Sequence, residues 1–548
     1  LLPRSPYSAS HDNTHSRPSS IPPRGDTMHQ RISRRTDKRA TATLSTLAAA
    51  LLACAAPGAH AGSTIELGAD TTLDYTFTLS YGLGMRTRAP SGNLLTPANI
   101  NGDDGDRNFA KNKLIENQVS LLGEVNLKHD DWGVFVRADT FYDQAYRRPN
   151  YNDAPGTVNQ SGQYNNFTSD ARYWSGGHTT LLAAYAYNTF KIGSTSLNVK
   201  VGDQVVAWGE SLFFPNIAGA QGPADATKSY MAGAEVKDIL LPVPQISTQW
   251  QITPNFSLLG YYQFSYQQNR LTAPGTYWSY SDVTGPGAQF IIGPGGMIIP
   301  RGPDDKPSAR NQWGIGARFR VLGDTELGLY HLHYNDMNPS VVTTYFPTLQ
   351  YQQTYFSNIK LTGASFSTQV GPVNVAGEVS YRQGAAVLVN TPTGPQSTRA
   401  NVLQTNLSGI YSIGPSFLAN SQTLIGELTY VHAGSISELD GSTTLTNSRN
   451  ALAMEIAWTL SYKNVFNGWD LDVPLTYTHD LTGTSPLAGA LGSLTGQGDH
   501  RVTAGVTFTR LSNLQLSLVY AKFLGSPNPV TRPLADRDYV LATATYHF

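Results

Sequence analysis

An all-β, membrane-spanning, antiparallel up-and-down barrel of sixteen to eighteen strands is the fold this sequence predicts. Three observations carry that expectation. Charged residues make up 14% of the chain, well below the roughly 25% of soluble globular proteins. Apolar and polar residues alternate with a period of two across most of the length, as they do in a strand with one apolar and one polar face. The connections between these stretches alternate between tight turns and long polar loops, the signature of outer-membrane barrels. A net charge of −1 offers no basic footprint for a nucleic-acid partner.

The first 27 residues are rich in Pro, Ser and Arg, precede the first methionine, Met28, and read as a non-native upstream or disordered segment. Residues 28–61 have the pattern of a secretory signal. Arg31, Arg34, Arg35, Lys38 and Arg39 supply the positive region, 40–56 the apolar core, and Ala59-His60-Ala61 the small residues of a cleavage site. The apolar core is shorter than the roughly 20 residues that a helical span needs. The sole cysteine, Cys54, falls in this leader, where Leu51-Leu52-Ala53-Cys54 also resembles a lipidation site. The mature barrel, 62–548, is then expected to contain no thiol and no disulfide.

The clearest strand is 73–86, where Leu73, Tyr75, Phe77, Leu79, Tyr81, Leu83 and Met85 share one face. Equivalent stretches are 119–128, 132–143, 180–190, 195–207, 246–252, 256–267, 313–320 and 325–335. The series continues with 357–368, 373–382, 400–412, 422–432, 452–462, 469–480, 502–509, 514–523 and 540–548, giving eighteen in all. Tight turns are expected at 128–131, 192–194, 253–255, 321–324, 370–372, 464–468 and 511–513. Long loops are expected near 87–117, 144–178, 208–245, 268–310, 336–355, 383–399, 433–450, 481–499 and 524–537. A charge facing lipid near the midplane costs about 2–4 kcal/mol. The charged face, with Glu124, Arg137, Asp139, Arg318, Glu378, Arg382 and Glu455, is therefore assigned to the interior. His331-x-His333 reads as two lumen-facing polar residues, because no carboxylate beside them completes a metal site. Gly209-Glu210-Ser211 is half of a nucleophile elbow, with Phe213 where the second glycine belongs. No catalytic set, metal or cofactor is expected.

The stretch 208–245 differs from all other loops by its apolar content, including Trp208, Leu212, Phe213, Phe214, Ile217, Ile239, Leu240 and Leu241. That is too little apolar surface to order the segment alone, and exposed loops avoid it. The loop is expected to fold into the lumen and borrow the wall, as a constriction. Glu210, Asp225, Lys228, Glu235 and Lys237, with Arg137, Asp139, Asp143, Glu378 and Arg382, would form either a mixed-sign rim that tunes permeation or loop-to-wall salt bridges. Trp208, Phe213 and Phe214 would supply the apolar contacts.

The run VGDQVVAWGES at 201–211, followed by PADATKSY and AGAEVKDILLPVPQ, resembles the hallmark region of a proteobacterial family of outer-membrane barrels classed as a domain of unknown function. RADTFYDQAY at 137–146, FSLLGYYQFSY at 256–266 and NVAGEVSYR at 374–382 resemble it too. The resemblance implies a barrel in the outer membrane, in contact with its lipid, and an envelope partner similar to periplasmic lipid-carrier proteins; it implies no established reaction. The ending at Phe548, with Val540, Ala542, Ala544 and Tyr546 on the same face, resembles the signal read by the barrel assembly machinery. The sequence thus points to a channel or transporter for a small hydrophobic or amphipathic molecule, gated by 208–245. A plugged structural or adhesin-like barrel is the alternative, and an outer-membrane lipid hydrolase a more distant one.

Overall fold

The protein is described by a computed structural model over residues 62–228, 230, 239–321, 323–344 and 348–548. The upstream and leader segments expected at 1–61 lie outside the described residues. Strand β1 (Ser63–Gly68) precedes β2 (Thr71–Arg86), β3 (Leu114–His129), β4 (Trp132–Asp143), β5 (Thr179–Ile192) and β6 (Thr195–Gln204). Then come β7 (Val243–Thr253), β8 (Phe256–Gln263), the short hairpin β9 (Phe290–Ile292) and β10 (Ile298–Pro300), β11 (Trp313–Val321) and β12 (Thr325–Tyr334). A second hairpin, β13 (Ser340–Thr344) and β14 (Gln350–Thr354), leads to β15 (Ile359–Val370), β16 (Val373–Thr391), β17 (Gly394–Ile413) and β18 (Ser421–Ile436). The chain closes with β19 (Asn450–Phe466), β20 (Trp469–Thr482), β21 (His500–Arg510), β22 (Leu514–Leu524) and β23 (Tyr539–His547).

Among the described residues nineteen strands form one antiparallel sheet, of which β1 pairs only with β2 and eighteen close on themselves. Closure is made by β23 on β2, from Thr78↔His547 to Arg86↔Tyr539. Below that pairing β1 continues the seam, from Ser63↔Tyr75, and the Gly62 amide donates to the Phe548 carbonyl at 2.7 Å. Among the described residues the ring of eighteen strands leaves no edge to be satisfied by lipid, which cannot hydrogen-bond a backbone. Each of the eighteen expected stretches becomes one barrel strand.

Outward-facing Val134, Val136, Leu181, Ile315, Leu329, Leu407, Leu428, Ile456 and Leu518 are exposed and make an apolar belt of the kind a bilayer covers. Tyr81, Tyr381 and Tyr520 also point out. In β12 the alternation is inverted from the expected sense. Tyr330, Leu332 and Tyr334 are buried inside, so His331 and His333 face outward, within ring contact of Trp313. The reason lies in the lumen, where Trp208 and Ile217 pack on the inner face of β12 and make it apolar.

Three of the expected loops carry β-hairpin structure, while 87–117 and 144–178 carry the short helices Asp104–Arg107 and Ser169–Trp174. The region 383–399 is a ladder extending β16 and β17 past the barrel to Thr391↔Gly394. Regions 268–310 and 336–355 carry the hairpins β9–β10 and β13–β14. All are at the long-loop end. Beneath them Phe109, Tyr146, Phe167, Tyr277, Phe523 and Leu534 form a second apolar core that ties several loops into a cap.

Candidate functional site

Strands β6 and β7 part at a pair of buried glutamines. Gln204 donates through Nε2 to the Gln245 carbonyl at 3.0 Å and Gln245 donates back to the Gln204 carbonyl at 2.7 Å. From there the described part of 205–242 runs inside the barrel. Trp208 is buried, stacked on Tyr330 with ring centres 5.9 Å apart and edge-on to Tyr261 at 5.1 Å. Its amide donates to Gln221 Oε1 at 2.9 Å, closing the loop on itself. Gln221 in turn accepts at its carbonyl from Gln263 of β8.

Two wall carboxylates hold the next turn. Glu378 of β16 accepts from the amides of Glu210 at 2.6 Å and Ile217 at 3.1 Å. Glu427 of β18 accepts from the amides of Leu212, Phe213 and Phe214 and from Asn406 Nδ2 at 2.9 Å. Charge-assisted bonds of this kind are about twice as strong as neutral ones. Gly209 explains part of the Trp-Gly-Glu-Ser run: its φ is +98°, and a Cβ there would collide with Oε2 of Glu378. Arg382 of β16 donates to the Asn216 carbonyl at 3.0 Å and to Gln404 Oε1 at 3.0 Å, while Gln404 donates to the Pro215 carbonyl. Phe214 is sunk among Ala385, Val387, Val402, Val431 and Ala451, where small side chains on four strands make room for its ring. The loop is thus fastened to the β8–β19 half of the wall.

The opposite half is left with a cavity of about 380 Å³. Its wall side is built mainly from β2 to β5, with Tyr539 and Leu541 of β23, and includes Ser80, Glu116, Ser120, Arg137, Asp139, Phe141 and Asp143. Its loop side is Asp225, Thr227 and Lys228, with Arg270 and the rings of Trp174 and Trp278 from other long loops. Arg270 pairs with buried Asp225 at 2.9 Å and lies 4.9 Å over the Trp174 ring. Lys228 reaches Asp139 at 3.8 Å, and Arg137 pairs with Glu124 at 3.1 Å across the β3–β4 ladder. The long-loop side of the same constriction opens on a cavity of about 400 Å³, lined by Ala224, Ala226, Tyr230, Arg382 and the 487–496 loop.

The thirteen residues singled out from the sequence therefore separate into groups. Arg137, Asp139, Asp143, Asp225 and Lys228 line the β2–β5 cavity; Trp208, Glu210, Phe213, Phe214, Glu378 and Arg382 lie at the loop–wall attachment. Glu235 and Lys237 lie outside the described residues. Asp143 is buried where β4 ends and accepts from the amides of Asn117 and Ala145 at 2.9 and 2.8 Å. The Glu210 carboxyl is pushed above its usual range by burial, with Arg318 opposing the shift and Glu326 adding to it. Between Glu378 or Glu427 and the loop there is no salt bridge among the described residues; the partners are backbone amides. Glu427, Gln404, Asn406 and Arg270 were not foreseen, since a lone polar residue on a strand or in a loop carries no sign of what barrel closure brings opposite it.

Over residues 42–548 the sequence matches the family described as "Protein of unknown function (DUF1302)". The chain belongs to this family. No curated protein matches the DUF1302 chain. Among solved structures it is similar to Pseudomonas aeruginosa OccK2 (OpdF) in complex with glucuronate, at 10% identity over 87% of this chain and 98% of that one, TM-score 0.40. It is likewise similar to Acinetobacter baumannii OccAB1, at 10% identity over 87% and 96%, TM-score 0.42. Pseudomonas aeruginosa OpdK with vanillate stands at 10% identity over 87% and 98%, TM-score 0.40.

Proposed function

We propose that this DUF1302 barrel is an outer-membrane channel or transporter that lets a small amphipathic molecule pass along the β2–β5 wall, with 208–245 as its constriction and gate. The observation that carries this reading is the asymmetry of the lumen. The loop is fastened to one half of the wall, and the other half lines a cavity in which acidic, basic and aromatic side chains face each other. Such a lining suits a solute with an apolar body and a charged end, because the rings of Trp174 and Trp278 line it together with Lys228, Arg270 and Asp139. The apolar belt supports an outer-membrane location, in contact with lipid. The aromatic end at Phe548, whose amide donates to the Phe77 carbonyl at 2.9 Å, suits recognition by the barrel assembly machinery. A periplasmic lipid-carrier-like protein remains the partner that the family resemblance implies. No chemistry is assigned to Ser211.

The test is planar-bilayer conductance and liposome uptake with the purified mature barrel. The expected result is a small conductance that amphipathic solutes block and neutral sugars of equal size do not. Failure of both the wild-type protein and a Glu427→Ala variant to pass any ion or solute would overturn the channel reading in favour of a plugged scaffold.

A further inference from the structure

The cap at the long-loop end contains a cluster of oxygen atoms with too few donors. Asp103, Asp104 and Asp282 are buried, at 0%, 5% and 0% exposure, and one carboxylate oxygen of each lies within 4.8 Å of the other two. Arg107 pairs with Asp103 at 2.8 Å; neither Asp104 nor Asp282 has an ion pair among the described residues. Their second oxygens take backbone amides, Asn159 N on Asp104 at 3.3 Å and Asp104 N on Asp282 at 3.2 Å. Oδ1 of all three meets no hydrogen-bond donor among the described residues.

A separate observation concerns two amides. Asn108 and Asn159 are buried and line, with Asp104, a cavity of about 10 Å³. Their amide orientations are set by what Nδ2 reaches: the Gly275 carbonyl at 2.8 Å from Asn108, and Asn101 Oδ1 at 2.7 Å and the Phe290 carbonyl at 2.9 Å from Asn159. Each therefore turns its Oδ1 away from those acceptors, and neither Oδ1 finds a donor among the described residues. Carboxylate and amide oxygens gathered without donors are what a hard cation requires, and isolated buried carboxylates are otherwise strongly unfavourable.

We propose that this cluster is a calcium site built from Asp103, Asp104 and Asp282, with the amide oxygens of Asn108 and Asn159 as neutral ligands. Calcium takes six to eight oxygens in flexible geometry, whereas magnesium demands near-octahedral geometry and retains several waters. The ligands come from three different long loops: β2–β3, β4–β5 and β8–β11. One ion would pin those loops together over the mouth, so the cap would be locked in a calcium-containing exterior and loosened without it.

The experiment uses the full mature barrel, refolded in detergent without lipopolysaccharide and freed of metal with a chelator. Calcium titration calorimetry should show one ion bound per chain. Calcium should also raise the melting midpoint and slow proteolysis within 87–113, 144–178 and 264–312, with magnesium at the same concentration doing less. Asp104→Asn and Asp282→Asn should each weaken binding by at least about tenfold while the β-sheet circular dichroism persists. If either fails to fold, Asn159→Leu carries the same expectation. Wild-type protein that takes up no calcium, or uptake unchanged in the variants, would overturn the proposal.

Discussion

Buried carboxylates close this barrel in two places, by opposite means. At the lumen loop, Glu378 and Glu427 are satisfied by five backbone amides of 210–217. In the cap, Asp106 and Asp536 share the guanidinium groups of Arg86 and Arg537, with contacts of 2.9–3.6 Å and all four residues essentially unexposed. An amide clamp reads backbone conformation: it holds one shape of loop and gives way when that shape is lost. A paired-ion cluster reads side chains and must move as a unit, since separating it strands charge in a dry interior. The clamp suits a part that rearranges, and the ion cluster suits a part that stays put.

Replacing Arg537 by Met should give the largest effect. It donates to the carbonyls of Gly105, Tyr277 and Ser279 as well as pairing with Asp106 and Asp536. Its loss leaves buried charge unpaired, a cost of about 3–5 kcal/mol. Thermal melting and proteolysis of 525–538 should report a loosened cap over an intact barrel. Glu427→Ala comes next, at about 1–3 kcal/mol in total, because water entering beside the loosened loop satisfies most of the freed amides. Its readout is functional: larger and noisier single-channel currents, with the melting midpoint moving less than in Arg537→Met. A larger thermal loss from Glu427→Ala than from Arg537→Met would reverse the comparison.

Gly209→Ala probes the same clamp from the loop side. Both its positive φ and its contact with Glu378 oppose a side chain, a penalty of about 1–3 kcal/mol that should also appear as raised conductance. Smallest in energy is Lys228→Gln. Its 3.8 Å contact with Asp139 is partly exposed and worth under about 1 kcal/mol. Stability should stay level while reversal potentials shift toward cations, because a fixed positive charge leaves the passage.

The strands were legible in the sequence because lipid on one side and polar groups on the other enforce a period of two, as in 73–86. The signal fails where that contrast fails. In β12 the loop covers the lumen face with Trp208 and Ile217, so apolar side chains point inward and the histidines outward. The β16–β17 ladder beyond the barrel has no lipid contrast and reads as loop. That 208–245 needs the wall could be inferred from its apolar content. Which wall residues hold it could not, because Glu427 and Leu212 are 215 residues apart and meet only after closure. Nor could Arg270 be foreseen as the partner of Asp225.

The central claim is that passage follows the β2–β5 wall and not the half beneath the clamp. Ser120 lines the β2–β5 cavity, and Ser408 of β17 is buried on the clamped side. With single cysteines at Ser120→Cys and Ser408→Cys, a charged thiol reagent added during bilayer recording should reduce current through the first and leave the second unchanged. Equal block at both positions, or block only at Ser408→Cys, would contradict the account.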